Sequence, residues 1–207
     1  MRSSVSRTRA AVVGHELFIL GTLDSSTHAL LLPLLRAHPE VGTLVLTANG
    51  GSIDDAANLE LGRALRRREI ATRVASRGVI ASGAVDLFLA GARRSIGVGA
   101  KVGVHSWEHC FTDDAHPQPV CKQAKDHPVD DPGHGMHRDY TVEMLGSDVF
   151  YWFSIEAAGS DSIHWMSSSE LAEHQLGGVA DAPGFEQPFG EAFERERRDI
   201  LGPDAAS

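Results

Sequence analysis

Three groups of residues have the types and order for acyl-transfer chemistry: Asn49-Gly50-Gly51-Ser52, Ala81-Ser82-Gly83, and Gly103-Val104-His105-Ser106. Ser82 stands where a Gly-bounded segment turns into the apolar helical run Ala84 to Ala90, so its hydroxyl is expected at a helix N-terminus. Amides there are unpaired donors with partial positive charge, which suits an oxyanion forming beside a nucleophile. A plain helix cap is the competing reading of a serine at such a place. The Gly-Gly turn can bring further amides to the same oxyanion, and the Gly83 N–H follows the serine directly. His105, ending a strand, can take the Ser82 proton and return it to the leaving group.

These groups need elements that bring them together. Glu16 to Gly21 reads as a first buried strand, and Asp24 to Thr27 offers caps for a helix running to Ala37, with a kink or late start at Pro33. Thr43 to Thr47 is a second strand. Asp54 to Arg68 reads as a helix with Ala57, Leu61, Ala64 and Leu65 inward. Thr72 to Val74 is a third strand, the Ser82 stretch and its helix follow, and Ser95 to His105 holds a turn and a strand. Alternating strands and helices with short connections predict an α/β fold of right-handed βαβ units around a mainly parallel sheet. In such sheets the C-terminal strand ends and following helix starts line one crevice, where all three groups can meet.

Beyond His105 the pattern changes. Residues 108–137 are rich in Pro, His and Asp, sustain no period, and read as a long insertion or lid. Tyr140 to Leu145 and Asp148 to Ala158 are helical, Ile163 to Met166 is strand-like, and a short helix runs from Ser168 to about Leu176. Glu191 to Leu201 is a charged amphipathic helix with Phe193, Ile200 and Leu201 inward. The expected organisation is a single domain over residues 1–207 with a flexible N-terminus (1–10), the 108–137 insertion and a C-terminal helical tail (184–207).

Composition narrows the function classes. Across 207 residues the formal net charge is −9, and the arginine clusters are short or have acidic neighbours, so non-specific nucleic-acid binding is excluded. No stretch is apolar enough to span a bilayer, and no signal peptide is evident before Gly14. Compartment stays open, as does the state of Cys110 and Cys121: a short disulfide loop, metal ligands or free thiols. His134 and His137 are spaced i, i+3, but no accompanying pattern makes a metal centre, so neither metal nor cofactor is expected.

Thr47-Ala48-Asn49-Gly50-Gly51-Ser52, Ala81-Ser82-Gly83 and Gly103-Val104-His105-Ser106 together resemble the Clp protease proteolytic subunit and its relatives in the ClpP/crotonase-like superfamily, nearest to stand-alone bacterial ClpP-like chains. The resemblance implies stacked β-α turns, a Ser82 nucleophile, a His105 base, and oxyanion amides from Gly50 or Gly51 and Gly83. It covers Leu44 to Ser106 and returns weakly at His164 to Leu171. Asn49 replaces the family's proline before the Gly-Gly pair. Aligning Trp165 with the family's aromatic puts Ile163 at the place of the third catalytic acid, leaving Asp161 as the nearest carboxylate and Glu156 on the helix before it.

The function implied is a serine hydrolase acting on a peptide or other acyl substrate. The family's ring and trimer assemblies suggest a homo-oligomer, and its often exported members leave an exported location open for a chain expected to be soluble. A catalytically silent peptide-binding or assembly module is the alternative, and a crotonase-type acyl-CoA enzyme a third reading.

Overall fold

The structure, a computed structural model, describes residues 7–112, 118–179 and 187–202. Parts of the expected N-terminal, lid and tail segments (residues 1–6, 113–117, 184–186 and 203–207) lie outside the described residues. Contacts gather into two compact units, one from residues up to Gly103 with those from Met166 onward, the other Val104–Trp165.

In the first unit, strands β1 (Arg9–Val13), β2 (Glu16–Leu20), β3 (Thr43–Asn49), β4 (Ala71–Ala81), β5 (Arg94–Ile96) and β10 (Gly178–Val179) lie in that spatial order. Along this path, among the described residues, β1 and β2 pair antiparallel and each later neighbour pairs parallel. The parallel strands are apolar because both faces are covered, and Leu17, Ile19, Leu44, Val45, Leu46 and Val74 have no solvent exposure. Helix α1 (Ser25–Ala37) starts at a capping box in which Asp24 accepts from the Ser26 and Thr27 amides. It runs from Ser25 through Pro33, so the late start does not occur.

Strand β4 is much longer than the three-residue run its apolar pattern suggests. Its first part, Thr72–Val74, pairs with β5, and its last, Val79–Ala81, pairs with β6 (Lys101–Val104). The exposed Ser76-Arg77 step between them masks the continuity in the sequence. A register shift in β3 between Leu46 and Ala48 matches this break, so Ala48 and Asn49 pair with Val79 and Ile80. Such an irregularity re-aims the strand end. Strand β4 therefore delivers the chain directly to a one-residue turn at Ser82, and α3 (Gly83–Leu89) begins at the next residue.

Helix α2 (Asp55–Arg67) is capped by the Asp54 side chain, which accepts from the Ala57 amide. Its buried face carries Asn58, Leu59, Leu61, Ala64 and Leu65, whereas Ala57 is only half-buried. Helix α6 (Ser168–Glu173) starts at a Ser167–Glu170 capping box and stops before Leu176. Helix α7 (Glu191–Leu201) has the expected limits and buries Phe193. Its Arg197 Nε donates to Arg77 O at 2.9 Å, and Glu194 pairs with Arg77 at 3.3 Å.

The second unit replaces the expected structureless excursion with a hairpin. Strands β7 (Glu108–Phe111) and β8 (Val120–Gln123) pair antiparallel, with Cys110 directly opposite Cys121 and the two joined by a disulfide. Both strands are largely exposed, so no alternating apolar face announced them. Two helices follow, α4 (Gly135–Leu145) and α5 (Val149–Ala157), then the short strand β9 (His164–Trp165).

The disulfide closes a sequence separation of 11 residues. Loop closure of this size is worth about 2–3 kcal/mol. Replacing both cysteines by serine is expected to lower the urea midpoint of the second unit's unfolding, followed by tryptophan fluorescence, and reduction of wild type is expected to reproduce the shift. Coincident oxidised and reduced unfolding curves would refute it.

Candidate active site

The first unit brings the Gly-Gly turn and the serine turn together. Buried Asn49 ties the turn down: its Oδ1 accepts from the Thr47 amide at 3.0 Å, and its Nδ2 donates to Gly21 O at 2.8 Å. These two side-chain hydrogen bonds hold the turn without a proline. Gly51 has φ +141, a conformation strained for other residues, and a Cβ there would lie 3.1 Å from Ser82 Cβ and 3.4 Å from its Oγ. Gly51 O accepts from Leu23 N, while the Gly50 and Gly51 N–H groups reach no backbone carbonyl among the described residues. Ile200 of α7 walls the outer side, its Cγ1 3.2 Å from the position of a Cβ on Gly50.

Ser82 occupies the N-cap position of α3, but not as a cap. Its backbone lies at φ 55, ψ −135, and its side chain makes no capping hydrogen bond. An ordinary cap has β-region backbone and spends its oxygen on the N2 or N3 amide. The capping reading of Ser82 therefore fails. Its amide donates to Gly103 O at 3.1 Å, and its carbonyl accepts from Val85 N at 2.8 Å, so both flanking peptides are fixed. A non-glycine residue at positive φ is held there by its surroundings at a cost of order 1–3 kcal/mol, and such residues cluster at functional sites.

Gly83 is buried under close contact. A Cβ on it would lie 2.6 Å from Ser52 Oγ and 2.7 Å from Ser52 Cβ. As the first residue of α3, its N–H has no intrahelical acceptor. At the other end of α3, Arg66 donates to Leu89, Ala90 and Gly91 carbonyls, and Arg94 to Leu89 and Gly91. Burial holds the Arg94 guanidinium pKa below its ordinary value, with the Arg66 charge adding to the effect.

His105 and Asp161 belong to the second unit. His105 is half-buried, and its Nδ1 lies 2.8 Å from Ser106 O. A carbonyl only accepts, so Nδ1 carries the proton in the neutral ring and Nε2 is left as a base. Ser106 is fully buried: its amide donates to Ala158 O, and its hydroxyl donates to Trp107 O at 3.0 Å and accepts from Ala124 N at 3.1 Å. The carbonyl that orients His105 is thus itself well fixed. Asp161 is exposed, its Oδ1 near Gly159.

Two histidines of residues 108–137, His127 and His134, pack within the second unit against Trp107. His134 is buried with Nδ1 2.6 Å from the Tyr151 hydroxyl, which also accepts from Trp107 Nε1 at 3.1 Å. Burial raises the Tyr151 pKa. His127 Nδ1 meets Asp131 at 3.1 Å, and the Gly133 amide with that histidine lowers the Asp131 pKa. Among the described residues, the one grouping of three side chains close enough to share an ion is Glu108, Cys110 and Cys121. Its two sulfurs are bonded to each other.

Comparison with solved structures places this fold. The 1510-N membrane-bound stomatin-specific protease superposes with a TM-score of 0.53 at 10% identity, over 78% of each chain. A second structure of that protease, in complex with a substrate peptide, gives 0.52 at 10% identity over 78% of this chain and 74% of that one. An enoyl-CoA hydratase from Shewanella pealeana ATCC 700345 gives 0.51 at 13% identity over 96% of this chain and 79% of that one. No family model and no curated protein sequence matches the chain. These likenesses show the fold, the ClpP/crotonase-like one, mixed α/β with a mainly parallel sheet.

The strain at Ser82 has a direct test. Glycine adopts φ 55 freely, so Ser82→Gly is expected to raise stability by about 1 kcal/mol in urea unfolding, while Ser82→Ala does not. Equal stability of the two variants would show that the backbone there is relaxed.

Proposed function

We propose that the protein is a ClpP-like serine hydrolase, a peptidase in its simplest form, and that the whole chain works as one ClpP-like domain. Ser82 attacks the acyl carbonyl while His105 Nε2 takes its proton. Amides of Gly50 or Gly51 and of Gly83 hold the oxyanion. The protonated His105 then passes its proton to the leaving group, and water releases the acyl group from Ser82.

The observation that carries this reading is the strained, uncapped Ser82 between β4 and α3, with Gly51 against its side chain. A strand-to-helix turn of this kind exposes a serine oxygen while setting the next amide beside it. Gly103, whose carbonyl accepts the Ser82 amide, precedes His105 by two residues, which supports pairing the serine with that histidine. Neighbours with this fold include a protease and a hydratase, so fold alone favours neither chemistry. A serine and a histidine in protease-like order favour acyl transfer to Ser82.

Asp161 is the carboxylate proposed from the family pattern to support His105. With Nδ1 bonded to Ser106 O, its share is small and the working pair is Ser82 with His105. The substrate is a peptide or other acyl compound, and the family's habit of assembly supports a homo-oligomer.

Labelling with a fluorophosphonate tests the site. Wild type is expected to be labelled, Ser82→Ala not at all, and His105→Ala at a rate at least about a hundredfold lower. Asp161→Asn is expected to stay within about tenfold of wild type, because the Ser106 carbonyl still orients the ring. Folded wild type that takes no label would refute the hydrolase reading, and a hundredfold loss in Asp161→Asn would restore the full triad.

A further inference from the structure

Asn58 is a side chain that the catalytic reading leaves unused. It is 3% exposed on the packed face of α2, beside Leu59 and Leu61. Its Nδ2 donates to Gly83 O at 2.7 Å. Because a carbonyl cannot donate, the amide orientation is determined: Nδ2 faces Gly83, and Oδ1 points elsewhere. That Oδ1 is buried with no hydrogen-bond partner. A leucine would fill such a place without leaving an orphaned acceptor, so stability alone does not explain an amide here.

The geometry points to Asn58 as a positioning residue that sets the spacing between the two halves of the oxyanion hole. Asp55 and Asn58, one helical turn apart, share a face of α2. Asp55 binds the Ser52 hydroxyl at the end of the Gly-Gly turn, and Ser52 packs directly on Gly83. Asn58 holds Gly83 from its carbonyl side. One rigid helix therefore grips both turns, and the separation of the Gly51 and Gly83 amides is set by α2 rather than by either loop. Asn58 touches no reacting atom. Loss of its hydrogen bond lets Gly83 and the start of α3 shift relative to Gly51, which weakens the oxyanion hole without removing the nucleophile or the base.

This role rests on the hydrolase reading, and its test separates the two. Asn58→Leu is expected to melt at or above the wild-type temperature, yet to react with a fluorophosphonate at least about tenfold more slowly, since sub-ångström misplacement costs rate steeply. With an ester substrate the loss falls in kcat, with KM within about twofold and the pH profile unmoved. The Gly83 carbonyl carbon resonance, observed by NMR in 13C-labelled protein, shifts in Asn58→Leu and reports the lost bond independently of activity. A labelled wild type with an Asn58→Leu variant that reacts equally fast overturns this role alone, as does an unmoved Gly83 resonance. A wild type that takes no label overturns the hydrolase reading and this role with it. A merely structural asparagine would instead lower the melting temperature and leave the rate per folded molecule unchanged.

Discussion

The first unit depends on one abrupt reversal: the chain leaves β4 at Ala81 and enters α3 at Gly83, with a single residue to change direction. That residue is Ser82, and its unfavourable backbone is imposed from both sides. Behind it, Val79–Ala81 is clamped between β3 and β6. Ahead of it, α3 is buried along nearly its whole length, and its C-terminal carbonyls are occupied by two arginines. A seven-residue helix has little stability of its own, so tertiary packing has to hold it. The same packing that buries the helix holds the serine in its strained shape.

Much of this could be read from residues alone. The parallel sheet followed from short apolar runs alternating with helical patterns, and the α7 limits from a charged helix with Phe193 and Ile200 at the right spacing. The Gly-Gly and Ala-Ser-Gly turns were legible because glycine marks close approach, and Gly51 does meet Ser82. What stayed hidden depends on distant pairing. The full length of β4 was masked by exposed Ser76 and Arg77, since a strand that changes partner midway has no single period. Asn58 carries no sequence signal, because an asparagine on an apolar helix face gains meaning only through its acceptor 25 residues away. The His105 Nδ1 partner is a backbone carbonyl, which no side-chain pattern can announce.

A protease and a hydratase are among the solved structures that share this fold. Helix-start and turn amides converging at strand ends stabilise a negative oxygen whatever reaction makes it. Which reaction follows is decided by the side chains set beside those amides. In the first unit a strained backbone fixes Ser82, and in the second the Ser106 carbonyl fixes the ring of His105.

The β7–β8 hairpin illustrates a different way of encoding structure. Its strands are polar and exposed, so a slip of one residue would bury nothing wrong and expose nothing new, and the side-chain pattern barely distinguishes one alignment from the next. Cys110 opposite Cys121 removes that degeneracy with a single covalent link. The alignment of this hairpin is thus stored in oxidation state rather than in hydrophobicity, and a chain folded with its thiols reduced lacks the instruction that chooses among neighbouring registers.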